Sequence, residues 1–240
     1  HDGGVTRQDR PAVGRGHVVA AMAPPAEEDL RRDLMATMDP LDADLFERTL
    51  VLLKGLPELG VLLRVEQDLP KLVKAVYGGH GDLFKAEDAR QWRRAEERLR
   101  DHLEAFARST AGGYRAHLFA EDALEGLRFV DLLANTYDVI VMNPPFGSPC
   151  SGQEQYVKSN YNFSKNDILA VFVERGIEML CVGGFLAAIT SKTVFYQPGF
   201  EVWRREIVCK RTNPTVFADL GYGVLDEAMV EVACFCLEVK

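Results

Sequence analysis

Asn143-Pro144-Pro145-Phe146 brings together residue types suited to chemistry on a planar amine. Asn143 offers an amide oxygen and an NH2 group on a short tether. Pro144 offers a carbonyl on a stiff backbone that has no N–H beside it. Two acceptors so placed hold both hydrogens of an exocyclic amine, and Phe146 adds a flat apolar face for the ring that carries it. Such an amine is a poor nucleophile because its lone pair is delocalised into the ring. Acceptors set out of the ring plane favour the pyramidal, reactive geometry, which is preorganisation at the point where positive charge develops. The proton becomes acidic only after alkyl transfer, so the chemistry needs no strong base and no metal. The competing reading of these residues is a strand that simply ends in a proline turn.

The element that must position them is a strand. Residues 139–142 form a short apolar run rich in β-branched side chains, the pattern of a strand covered on both faces. The two prolines stop it, since neither can donate to a sheet ladder. Asn143 is thereby expected at the carboxyl end of a strand, where open α/β sheets bind their ligands.

Asn143-Pro144-Pro145-Phe146 resembles motif IV of the class I amino-methyltransferases that use S-adenosylmethionine (SAM) and modify adenine N6. The flanks carry the likeness further. Phe129-Val130-Asp131-Leu132-Leu133, Ile189-Thr190-Ser191-Lys192-Thr193, Trp203-Arg204 and the stretch from Ala218-Asp219-Leu220-Gly221 to Asp226 resemble the large adenine-specific DNA methyltransferases of BREX phage-defence systems (PglX-like), relatives of the Eco57I-like restriction–modification enzymes. The likeness runs from about Val18 to the end of the chain. It implies an α/β fold, a partial class I SAM-dependent methyltransferase (Rossmann-like) sheet with a helical insertion. Residues 1–16 are expected as loop or disorder and 17–240 as the partial catalytic domain. Within that domain, 24–134 would be mostly helical insertion and 135–240 strands four to seven, the last two antiparallel at the sheet edge.

The same resemblance implies SAM as cofactor, with Asn143 also at the cofactor, and double-stranded DNA with a flipped adenine as partner. Other phage-defence subunits are further partners, and self-marking of host DNA is the implied role. Asn-Pro-Pro-Phe motifs also serve amines of RNA bases and of protein glutamine, and the motif alone does not separate these substrates. A further reading, of a different kind, is a non-catalytic interaction module. Gly14-Arg15-Gly16 suggests the cofactor loop of motif I, which makes Gly14 and Gly16 candidates for binding SAM. That loop must follow a buried strand, yet the apolar run, residues 17–22, comes after it. The favoured expectation is therefore that 17–22 is itself a strand, that the cofactor loop lies upstream, and that the chain is a fragment.

Residues 24–60 read as helical, with Leu30, Leu34 and Met38 on one face and a second helix from Asp42 to Leu53. Residues 66–77 read as another helix. Residues 88–110 form a long charged helix in which Trp92, Leu99, Leu103 and Phe106 dock on the core or a partner. Its Arg93, Arg94 and Arg98 are candidates for phosphate contact, with a solvated face carrying i,i+4 charge pairs as the favoured reading. Residues 118–134 lead into the motif strand. After Phe146, residues 148–162 are polar and rich in Gly, Ser and Asn, the composition of a mobile loop that closes over a base. Tyr156 and Tyr161 are its candidates for stacking, and Lys158 and Lys165 for phosphate. A helix over 167–180 is expected to end at Gly183-Gly184. Strands follow at 185–190, 215–220 and 230–239. Lys192 stands just past the first of these, on the ligand side, as a further substrate-binding candidate.

At 240 residues the chain can bury one good core. A net charge of −8 and a pI near 5.2 exclude a protein that coats nucleic acid through bulk charge. If DNA is the substrate, most phosphate contact is expected outside this segment. Five cysteines without a pairing framework favour free thiols, core packing and a cytoplasmic location. No apolar run approaches the ~18–20 residues of a membrane span.

Overall fold

The computed structural model describes residues 25–77, 85–108, 113–224 and 231–240. Gly14, Gly16 and the strand expected at 17–22 lie outside the described residues, as does the expected loop at 1–16.

Among the described residues six α-helices come first: α1 (Glu28–Met35), α2 (Pro40–Leu53), α3 (Leu56–Leu59), α4 (Val65–Tyr77), α5 (Lys85–Arg108) and α6 (Gly113–Ala134). Local signals start them. Asp39 caps α2 by accepting from the Leu41 and Asp42 amides at 2.9 and 3.0 Å, with Pro40 in the first turn. In α5, Trp92, Ala95, Leu99 and Leu103 recur at helical spacing and are all buried, so this stripe faces the core. Arg98 is not simply solvated: its guanidinium clasps the buried carboxylate of Asp42. Among the described residues, no helix is long and apolar enough to cross a membrane.

The second half is a four-stranded sheet: β1 (Tyr137–Met142), β2 (Leu180–Ser191), β3 (Thr212–Gly221) and β4 (Val232–Val239). The order is β1-β2-β4-β3; β1 and β2 are parallel, and β4 is antiparallel to both of its neighbours. The mixed α/β class, the four strands and the antiparallel pair at one edge agree with expectation. Helices α7 (Ser151–Asn160) and α8 (Ile168–Glu178) lie between β1 and β2. After β2 come α9 (Thr193–Tyr196) and α10 (Glu201–Trp203), the latter continuing as a π-helical stretch, Arg204–Cys209.

One face of the sheet packs on α8 and the π stretch. Leu186, Ala188, Phe235 and Leu237 meet Leu169, Val173, Ile177, Trp203 and Ile207, with Ile140 and Met142 at the margin. At Gly176 helix and sheet come so close that a Cβ would sit 2.6 Å from Leu186 Cδ1 and Met142 Cε. The opposite face is bare among the described residues: Val139, Val141 and Val216 are 59, 77 and 55% exposed. This corrects the expectation of a strand covered on both sides. The apolar run is real, but of its residues 139–142 only Ile140 and Met142 pack on the core, with Tyr137 at the start of β1 beside them.

Three further expectations are corrected. Residues 148–162 are largely a helix, α7, not a loop. Gln153 accepts from the Cys150 amide and donates to Glu58 O at 2.6 Å, pinning α7 to α3. Helix α8 ends at Glu178, before Gly183-Gly184, which instead lie in β2. There the register jumps from Tyr137↔Leu180 to Val139↔Phe185, so the glycines form a bulge rather than a helix cap. Cys234 and Cys236 are half-buried on the bare face, not packed in the core; all five cysteines are free thiols.

Candidate functional site

Strand β1 ends at Met142, and the next residues alternate in exposure. Asn143 is exposed, Pro144 buried, Pro145 exposed and Phe146 half-buried. Phe146 packs against the core formed by α8 and the sheet, which leaves part of its ring accessible. Gly147 follows with φ +102°, a conformation that an L side chain rarely adopts. Its carbonyl accepts from the Ile168 amide at 2.7 Å, so the segment is strung between the end of β1 and the start of α8. Asp167 caps that helix, accepting from the Leu169 amide at 2.9 Å, and burial pushes its carboxyl up from the ordinary range.

Beside Asn143, on the bare face, lies a groove of about 460 Å³ walled by Val141, Met142, Ala187, Ile189, Val216 and Cys236. An apolar wall with an amide at its rim fits a flat heterocycle. Parallel β1 and β2 both point their carboxyl ends to this edge, and β4 starts there, so Asn143, Ser191-Lys192, Asp219 and Glu231 share one end of the sheet. Thr190 Oγ1, buried at the same end, has no hydrogen-bond partner among the described residues.

The other substrate candidates lie elsewhere or are already engaged. Tyr161 is fully buried; its hydroxyl donates to Leu62 O at 2.6 Å and the Arg64 guanidinium lies 4.1 Å from its ring centre. Neither of its faces is free to stack on a base, so that expectation is corrected. Tyr156 packs on the helical core, and its hydroxyl accepts from the Arg64 amide at 2.9 Å. Lys158 is exposed but paired with Glu154 at 3.0 Å. Lys165 is exposed. Lys192 is held between Glu231 at 2.9 Å and Asp219 at 3.1 Å, and these carboxylates push its pKa up to about 12.

Sequence reasoning missed the ion cluster that fixes α8. Arg175, fully buried, donates to Val61 O and Leu63 O and grips both oxygens of Glu66 at 2.7 and 2.9 Å. Arg64 reaches back to both oxygens of Glu178, the nearer contact being 2.5 Å. An arginine at a buried position of α8 was the available signal, because a charge there demands partners.

The profile of the Eco57I restriction-modification methylase family matches residues 37–221, most of the chain. The chain belongs to that family. It is also 24% identical, over 210 residues, to the adenine-specific methyltransferase BrxX of Escherichia coli O9:H4 (strain HS). That alignment takes in 85% of this chain and 15% of the relative, so the chain spans a small part of the relative's length. Among solved structures, a Listeria monocytogenes protein described as a class I S-adenosylmethionine-dependent methyltransferase overlaps it with a TM-score of 0.39 and 11% identity, covering 88% of each chain. The family match begins at residue 37, after the Gly14–Gly16 stretch, and includes Asn143 to Gly147.

Proposed function

We propose that this segment carries the amine-activating half of a SAM-dependent adenine-N6 DNA methyltransferase, serving self-marking in phage defence or restriction–modification. The observation that carries the reading is Asn143, exposed at the carboxyl end of β1, with Pro144 buried behind it and Phe146 half-buried beside it. The family and the relative's adenine specificity favour adenine over the glutamine and RNA substrates.

The target amine is buried in base pairing, so the base must leave the duplex, at a cost of a few kcal/mol. Stacking on the accessible part of Phe146 would return roughly 1–3 kcal/mol. The Asn143 side-chain oxygen and the Pro144 carbonyl then accept from the two amine hydrogens and turn the lone pair out of the ring plane. SAM, when bound, supplies a methyl group on a sulfonium. The amine nitrogen would gain the methyl as the C–S bond breaks and its electron pair stays on sulfur in the departing neutral thioether, and the surplus amine proton would leave past these two acceptors to solvent. Among the described residues Asn143 and the apolar groove suit the flat part of the cofactor, and Pro145 keeps the turn rigid. The groups that bind its methionine and ribose belong, on this reading, to polypeptide outside the described residues, and the isolated chain is inactive.

The test is transfer of labelled methyl from SAM to an adenine-containing duplex, with the product nucleoside identified. A polypeptide that joins this chain to a cofactor-binding half should yield N6-methyladenine, and Asn143→Ala should lower transfer about 100-fold or more. Transfer undiminished by that substitution would end the proposal. Micromolar binding of SAM to the 240-residue chain alone would overturn the claim that the cofactor groups lie elsewhere.

A further inference from the structure

We propose that the cleft between α4, α5 and α6 is a docking site for an arginine presented on a peptide segment of a partner protein. The cleft lies away from Asn143: Asn135 in its wall stands before the start of β1, and Asn143 follows the end of that strand. The proposal therefore stands whether or not Asn143 activates an amine. The cavity is about 470 Å³, inside the ~300–1,000 Å³ of ligand clefts. Its wall mixes apolar side chains, Leu69, Pro70 and Ala134, with four carboxyl groups, Glu66, Glu96, Glu97 and Asp131, against one lining cation, Arg93.

The acids are short of cations. Arg175 answers Glu66 at 2.7 and 2.9 Å. A single nitrogen of Arg100, Nη2, serves both Glu96 and Asp131, the second at 3.2 Å. The shortage is felt at Asp131, where burial and then the Glu96 carboxylate push the carboxyl up to about 7. Glu97 is exposed and has no ion-pair or hydrogen-bond partner among the described residues. An independent observation comes from Trp92, also in the wall. It is 7% exposed, and its indole Nε1 is buried with no hydrogen-bond partner among the described residues. A buried donor left unanswered costs free energy, and an indole can only donate. The carboxyl groups call for a cation and the indole for an acceptor. An arginine within a peptide carries both. Its guanidinium has donors enough for carboxylates on two helices. Its aliphatic stem suits Leu69, Pro70 and Ala134, and a peptide carbonyl is the acceptor for Trp92. Nucleic acid is disfavoured, since its phosphates would meet the carboxylates.

The two tryptophans give separate indole N–H signals in the nitrogen-15-labelled 240-residue chain, and Trp92→Phe identifies the Trp92 signal. Trp203, whose indole donates to Ala170 O at 3.3 Å, is the internal control. N-acetyl-arginine N-methylamide should move the Trp92 signal saturably, with a Kd on the order of 1 mM, and leave Trp203 in place. The same capped form of leucine, which has the carbonyls without the cation, should not bind. Agmatine, the cation without a carbonyl, should move the Glu96 and Glu97 backbone amides but not the Trp92 indole. Glu97→Lys should weaken binding of the capped arginine at least about tenfold, and Glu97→Gln by less. Both variants should keep the parent's urea midpoint, because Glu97 is exposed. No saturable shift with the capped arginine would overturn the proposal, as would equal binding of capped leucine. An indole shift with agmatine as large as with the capped arginine, or unchanged affinity in Glu97→Lys, would do the same. So would a short single-stranded oligonucleotide that moved the Trp92 signal in place of the capped arginine.

Discussion

Replacing Arg175 by alanine tests how the helical layer is fastened to the sheet. Its guanidinium is 1% exposed and makes four hydrogen bonds, to Val61 O at 2.8 Å, Leu63 O at 3.1 Å, and Glu66 at 2.7 and 2.9 Å, with Glu178 at 3.9 Å. Hydrogen bonds to a charged group contribute about 1.5–3 kcal/mol each, and the buried Leu63 carbonyl and the part-buried Val61 carbonyl would lose theirs. The Glu66 side chain is 33% exposed, so water would answer part of its loss. The aliphatic stem adds lost packing. The sum is about 3–5 kcal/mol, the range for breaking a buried pair from one side. Against a total stability of about 5–15 kcal/mol, this is a large fraction. Urea denaturation followed by circular dichroism measures it through the midpoint and slope. Glu66→Gln keeps both carbonyl bonds and should lose only about 1 kcal/mol. A loss below about 1 kcal/mol for Arg175→Ala, or equal losses for the two variants, would refute the view that Arg175 holds the Val61–Leu63 carbonyls.

Three other outcomes are expected. Gly176→Ala gains about 1 kcal/mol in helix propensity but forces a methyl to 2.6 Å from Leu186 and Met142, so a net loss of about 1 kcal/mol should appear in the urea midpoint. Asp42 is held down to about 2, from 3.8, chiefly by Arg98 and against the opposing effect of burial. Its contribution is therefore present above pH 3.8 and lost as pH falls through 2; allowing for the half-exposed Arg98, stability of Asp42→Asn should trail the parent by about 1–2 kcal/mol at neutral pH and match it near pH 2. Asp131 is pushed up to about 7 by burial and then by the Glu96 carboxylate. Between pH 3.8 and about 7 the folded state keeps that proton while the unfolded chain has lost it, so stability falls across this window and levels off above it. Discounted for a carboxylate about a third exposed, Asp131→Asn should be more stable than the parent by about 1 kcal/mol near pH 8, with the gain fading toward pH 4.

Where periodicity was strong the sequence was legible. Helix α4 was expected over 66–77 and spans Val65–Tyr77, because Val65, Leu69, Val73 and Val76 mark one buried face. Helix α7 was not legible, since Ser151–Asn160 is polar and Val157 is its sole fully buried side chain. Its partners come from distant residues: Gln153 binds Glu58 O, and Arg64 donates to Asn160 O. Tyr161 misled for a similar reason. An aromatic in a polar stretch resembles a surface ring, while its core position is set by Leu62 and Arg64, far away in sequence. Gly183-Gly184 could cap a helix or bulge a strand, and the pairing with β1 decided between them. The sheet order came from the family likeness, not from any local pattern. The site was legible at Asn143 to Phe146 because two prolines and a strand are local signals, whereas its anchorage through the Ile168 amide and the Gly147 carbonyl depends on a contact between separate segments.

The charges around Asn143 bear on how the proposed substrate would be held. Lys192 shares the carboxyl edge of the sheet, but two carboxylates, Asp219 and Glu231, face its one ammonium. That trio sums to about −1 near neutral pH, and a polyanion approaching it meets repulsion rather than attraction. The whole chain, at −8, has the same sign. Exposed Lys158 is likewise matched by Glu154. Binding strength for DNA depends on cations that neutralise phosphates, and orientation of a base depends on acceptors and ring faces. The groups beside Asn143 belong to the second kind: an amide, a proline carbonyl, half a phenyl ring and an apolar groove. On the proposed reading this segment handles the amine, while the grip on the DNA backbone lies with other parts of the enzyme.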